Sequence, residues 1–125
     1  MTGPRDNGGA RRRARGRGRR AEALAALFLA CKGCKIVKRS FRTQLGEIDI
    51  VAQRGKTLAM VEVKYRPRKA DAAWSITPAQ CQRIELATRG FIAAHPHFAG
   101  HHIRFDAVLM APWRWPSHLT DAWRS

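Results

Sequence analysis

Carboxylates are scarce in this chain: nine Asp and Glu stand against 24 Lys and Arg over 125 residues, a formal net charge of +15. A field of that sign selects polyanions as partners, either nucleic acid or an anionic surface. Residues 1–20 carry eight Arg against Asp6 alone, net +7, which leaves +8 for the rest. Long apolar runs are also missing. None approaches the roughly 18 residues that cross a bilayer, so no membrane partner is expected. Cysteine is limited to Cys31, Cys34 and Cys81. That odd number excludes a disulfide framework and points to a reducing, cytoplasmic setting. The stretch RRAEALAALFLAC has the outline of a secretion signal, and the Arg-rich start that of a transit peptide. Glu22 inside the apolar region, with Lys32 and Lys35 close behind, fits an amphipathic helix better.

Residues 1–19 are dominated by Gly and Arg and hold too little apolar surface to offset the entropy of ordering. They read as a disordered basic arm ahead of a single domain over 20–125. In that domain Leu24, Leu27, Phe28 and Cys31 recur at i, i+3, i+4 and i+7. This spacing predicts an amphipathic helix with those residues inside and Gly33 as its stop. Residues 34–42 form a candidate strand. Residues 46–54 and 57–65 follow as a tight hairpin, with Arg54-Gly55 or Gly55-Lys56 supplying the turn. Residues 66–76 read as a loop. Thr77-Pro78-Ala79-Gln80 opens a second helix with an N-cap Thr, a Pro in the first position and a capping-box Gln. Cys81, Ile84, Thr88 and Phe91 are its expected inner stripe, and His95-Pro96 its end. Residues 102–110 make a further strand, and the tail with Trp113, Trp115 and Trp123 is expected to pack on the surface. The order helix, strand, hairpin, helix, strand implies a mixed α/β sheet with a central hairpin flanked by helices.

Three of the scarce carboxylates, Glu47, Asp49 and Glu62, fall on the hairpin together with Lys64. Side chains alternate along a strand, so Glu47 and Asp49 share one face, as do Glu62 and Lys64. Either two-residue turn brings these faces together. The Gly55-Lys56 turn sets Asp49 opposite Glu62, and the Arg54-Gly55 turn sets Glu47 there; only a bulge would separate them. Opposed carboxylates repel, and a divalent cation between them reverses the sign. Mg²⁺ and Mn²⁺ accept one or two carboxylates, completing their shells with water and substrate phosphate. With a lysine two residues along, the set suits phosphodiester hydrolysis. The bland alternative is a solvated strand face with a Glu–Lys pair. Against it, Glu62 sits inside the apolar run LAMVEV, where an unpaired carboxylate is costly.

The blocks RRAEALAALFL, GCKIVKRSFRTQLGEIDIVAQRGKTLAMVEVKYR, SITPAQCQRIELA and RFDAVLM also carry a resemblance. From about Gly18 to its end the chain resembles the YraN family of small bacterial proteins. That family is similar in fold to the restriction-endonuclease-like superfamily, whose metal nucleases place an Asp and then Glu-x-Lys on a central hairpin. The resemblance implies Asp49 and Glu62 as ligands of Mg²⁺ or Mn²⁺, and Lys64 as the catalytic lysine. It implies Glu22 as an acidic residue beside the metal, with Glu47 and Gln80 in support. Two positions depart from the usual pattern: Ile48 stands where the superfamily has Pro, and Gln80 where many family members have Lys.

The expected function is therefore a metal-dependent nuclease acting on nucleic acid, taken as DNA, with branched or single-stranded forms preferred over a sequence. Arg42, Arg66 and Arg68 are candidate phosphate contacts. The alternatives are a non-catalytic nucleic-acid-binding module on a nuclease-derived fold, and a scaffold whose basic arm reaches a membrane or an acidic partner. Other features have simpler readings. Cys31-x-x-Cys34 has zinc or redox spacing, but Cys31 falls on the expected core stripe. The histidines from His95 to His102 read as a solvated loop. Asp106 should pair with Arg104 on the same strand face, and the tryptophans cover the sheet or stack on unpaired bases.

Overall fold

The computed structural model describes residues 19–66, 76–112 and 114–124. The expected basic arm (Arg19 apart), most of the 66–76 loop with Arg68, and Trp113 lie outside these residues. Helix α1 spans residues 19–31. It is followed by β1 (Lys35–Arg42), β2 (Glu47–Arg54), β3 (Thr57–Tyr65), α2 (Pro78–Ala94), a short 3-10 turn (Pro96–Phe98), β4 (His102–Met110) and β5 (Ser117–Trp123). The strands form one mixed sheet in sequence order. All neighbours are antiparallel except β3 and β4, which run parallel across the α2 crossover.

Local chemistry accounts for the element ends. Gly33, at φ +96°, closes α1 in a left-handed conformation that lets Cys34 N–H reach Leu29 O and Gly33 N–H reach Ala30 O, both 3.0 Å. Gly55, at φ +60°, makes the β2–β3 turn, and Arg54 pairs with Thr57, so the loop is Gly55-Lys56. Thr77 caps α2 in a full capping box with Gln80.

The sheet is covered on both faces. One core joins Ala21, Ala25, Ala26 and Leu29 of α1 to Ile50, Ala52, Ala59, Val61, Val108 and Met110. The other joins Ile84, Ala87 and Phe91 of α2 to Ile48, Val51, Leu58, Met60, Phe98 and Phe105. Burial on two faces explains why β2 and β3 read as nearly continuous apolar runs.

Three expectations need correction. First, α1 buries its alanine side, while Leu24 and Leu27 are 55% and 61% exposed and Cys31 is also exposed. Small residues let the helix axis approach the sheet closely, so the larger stripe is left facing outward and packing does not account for Cys31. Second, the strict alternation along β2 that placed Glu47 and Asp49 on one face is broken, because Ile48 and Ile50 enter opposite cores. The switch lies beside Ser40 of β1, whose φ of +52° breaks the regular alternation. Third, the tail is a fifth strand: β5 pairs with β4, and Trp123 stacks on Phe105 with centroids 5.1 Å apart. Along α2, Ile84, Thr88 and Phe91 are buried as expected, and Cys81 is half-buried. The histidines also do more than face solvent: His95 stacks on Phe91, and His97 lies against Phe98.

Candidate functional site

The β2–β3 ladder runs from Arg54↔Thr57 to Ile50↔Val61. The pairing ends there, one step short of Asp49 and Glu62. Here the Asp49 carboxylate takes the role of a strand partner: its Oδ2 accepts the Val63 N–H at 2.8 Å. Lys64 follows on β3 with its ammonium 3.5 Å from Glu62 Oε1, and both side chains are largely withdrawn from solvent, at 10% and 16% exposure. The hairpin thus brings Asp49, Glu62 and Lys64 together.

Two carboxylates so placed cannot both hold a charge easily. Burial pushes the Asp49 carboxyl up to about 8, helped by the negative charges of Glu62 and Glu22; the Val63 N–H opposes this without overcoming it. Burial also raises Glu62, with Glu47 adding to the shift and Lys64 working against it. Both shifts have the same direction, against the charged form of each acid.

The other predicted residues surround this pair at different distances. Glu22 on α1 is half-buried and accepts a hydrogen bond from Ser40 Oγ at 2.8 Å; its charge is felt at Asp49. Glu47 lies between Arg42 at 3.5 Å and Arg83 at 3.9 Å. Together with Glu62, Gln80, Arg83 and Ile84 it lines a small cleft. The Gln80 carbonyl is engaged by the Thr77 N–H, so this residue joins the site as a wall. Arg66 donates to Tyr65 O at the end of β3.

Arg83 and Ser40 escaped the sequence reading. Arg83 follows Gln80 by three on α2, a helical spacing that could have suggested it. Gly46, beside Glu47, packs so tightly on the Arg83 carbonyl that a Cβ there would lie 1.8 Å from its oxygen. This fixes the corner carrying Glu47 against α2. Nothing local in the sequence announces the turned backbone of Ser40.

Among the described residues, no three His, Cys, Asp or Glu side chains converge as a ready-made ion cage. What Asp49 and Glu62 offer is a two-carboxylate site, half-buried and with Lys64 as its one close cation among the described residues. This donor set fits Mg²⁺ or Mn²⁺, which are commonly held by one or two carboxylates. No described helix is long and apolar enough to cross a membrane.

Comparison with known proteins bears on the whole domain. The model of "Uncharacterised protein family UPF0102" matches residues 21–110, well over half of the chain. A UPF0102 protein of Parvibaculum lavamentivorans is 50% identical over 107 residues, covering 86% of this chain and 80% of the relative. One from Methylocella silvestris is 49% identical over 112 residues, 90% of each. One from Methylorubrum extorquens is 45% identical over 122 residues, 98% and 95%. The match takes in α1, the hairpin, α2 and β4, and so every described candidate residue: the chain belongs to the UPF0102, or YraN, family.

Proposed function

We propose that this protein is a nuclease that hydrolyses phosphodiester bonds of DNA with the help of Mg²⁺ or Mn²⁺. The observation that carries the reading is the half-buried Asp49–Glu62 pair, both carboxyls raised above their ordinary values and flanked by Lys64. Asp49 and Glu62 would hold the ion, with Glu22 contributing negative charge from α1. The ion would supply Lewis-acid stabilisation of charge developing on the scissile phosphate. Lys64 places a second positive group in the same pocket, where it can orient the attacking water and stabilise the phosphate oxygens. Water oxygen bonds to phosphorus, the ester P–O bond breaks, and the departing oxygen takes up a proton. The mixed sheet, central hairpin and flanking helices support a restriction-endonuclease-like reading of the fold. Arg42, Arg66 and Arg68 are the proposed backbone contacts. Contacts of that kind position phosphates without reading bases, which supports a preference for branched or single-stranded structure.

The second reading is a non-catalytic nucleic-acid-binding module. It is favoured by the two-carboxylate arrangement, which is not a closed cage among the described residues. A panel of labelled single-stranded, flapped and four-way-junction DNAs with RNA counterparts, incubated in Mn²⁺, separates the two. The nuclease reading expects the wild type to cut, and Asp49→Asn to bind without cutting. If both bind and neither cuts, the binding module takes its place.

A further inference from the structure

The outward stripe of α1 has no function in the core, because the alanine side already seals the sheet. Leu24, Leu27 and Phe28 instead form one wall of a groove of about 750 Å³ whose opposite side includes Tyr65, Met110 and Trp115. Leu24, Leu27 and Trp115 are 55%, 61% and 88% exposed. Large apolar side chains gathered into one concavity mark a binding surface, whereas scattered ones do not. The 13 described residues of α1 extend for about 20 Å at 1.5 Å per residue, and apolar residues at i, i+3, i+4 and i+7 are the spacing by which two helices pack.

Charge selects the occupant. Arg20 and Arg114 stand among the lining residues, and among the described residues none of the lining is Asp or Glu. A second copy of this chain is a poor match: α2 carries only Glu85, and α1 only Glu22, which is tied to Ser40. We propose that the groove receives an amphipathic helix of a partner protein, its apolar stripe against Leu24, Leu27 and Trp115 and its flanking acids against Arg20 and Arg114. This surface is independent of the nuclease reading, since none of its residues belongs to the carboxylate pair.

The test uses the full chain and a fluorescent helical peptide with Leu at i, i+3, i+4 and i+7 flanked by Glu. A control peptide keeps the Leu stripe and replaces each Glu by Lys. Anisotropy should show saturable binding of the Glu peptide and none of the Lys peptide. Leu27→Glu, at an exposed position whose folding is checked by thermal melting, should weaken binding by about tenfold or more. Arg114→Glu should weaken it as well. No saturable binding, equal binding of the two peptides, or indifference to Leu27→Glu would overturn the proposal. So would a wild-type dimer in sedimentation that Leu27→Glu dissociates, which would assign the groove to a second copy. Displacement of the peptide from the wild type by phosphatidylserine vesicles or oligothymidine would overturn it too, if Leu27→Glu also abolished binding of that competitor.

Discussion

Two acids of the same sheet, one buried and one half-buried, are treated in opposite ways. Asp106 on β4 is fully enclosed, yet every oxygen has a donor. Arg104 reaches it through two nitrogens at 2.8 and 2.9 Å, His118 Nε2 lies at 2.9 Å, and the Asp121 N–H at 3.0 Å. Lys32 Nζ stands 2.7 Å from His118 Nδ1, which requires that nitrogen to accept and Nε2 to carry the proton toward Asp106. Burial alone would raise the Asp106 carboxyl, but His118, Arg104 and the Asp121 N–H hold it down at about 2. Asp49 on β2 receives one backbone N–H, faces a second acid, and rises to about 8. The fold is thus able to satisfy a buried carboxylate and does so where the acid is structural, tying β5 and the end of α1 to β4. At the hairpin the same sheet leaves a deficit of positive charge. The proposed cation would fill this deficit.

The contrast can be broken most directly by substitution. Asp49→Asn and Glu62→Gln should each lower single-turnover cleavage in Mn²⁺ by about a thousandfold, in the range seen when a group stabilising the transition state is removed. Binding of the same DNA at equal salt should survive. Asp106→Ala should instead act on stability, costing about 3 kcal/mol in urea titration because Arg104 loses its counter-charge and the His118 and Asp121 N–H groups lose their acceptor. Asp49→Asn should cost nothing there or be stabilising. Equal destabilisation by the two changes would erase the distinction.

The pH response should also divide. A carboxyl raised from 3.8 to about 8 binds its proton more tightly in the folded chain, so in EDTA it lowers stability as pH rises from about 4 to about 8. Asp49→Asn should flatten that decline, and Mn²⁺ should oppose it in the wild type. Asp106 has the reverse sign: its contribution is present above about 4 and lost as pH falls through about 2. The smallest effect belongs to Glu47, a half-exposed acid between two arginines. Glu47→Gln should change stability by no more than about 0.5 kcal/mol, which chemical denaturation would check.

How much of this was legible in the sequence follows from how local each determinant is. The turn glycine fixed the hairpin loop to within one residue, and both permitted registers brought the acids and Lys64 together. The observed register is one of the two. The Arg104–Asp106 pair was readable from alternation. Its other donors were not, because His118 and Asp121 arrive on a strand whose pairing with β4 is long-range, and Asp121 itself sits at φ +54°. The side of α1 that faces the sheet was misread for a related reason. Its period permits an alanine stripe and a leucine stripe, and only the closeness of the opposing sheet chooses between them. The exchange of faces between Ile48 and Ile50 lies beside Ser40, a positive-φ residue on a neighbouring strand. Periodicity within β2 carries no trace of it.

The central claim is that the Asp49–Glu62 pair is built to take up a divalent cation. Calorimetric titration of Mn²⁺ into the wild type and Asp49→Asn, at pH 7 in two buffers of different ionisation enthalpy, tests it most directly. The account predicts saturable binding by the wild type with release of a proton, since ligands must be deprotonated to coordinate. Asp49→Asn should show greatly weakened binding. Undetectable binding by the wild type, or the same affinity and proton release in the variant, would contradict it.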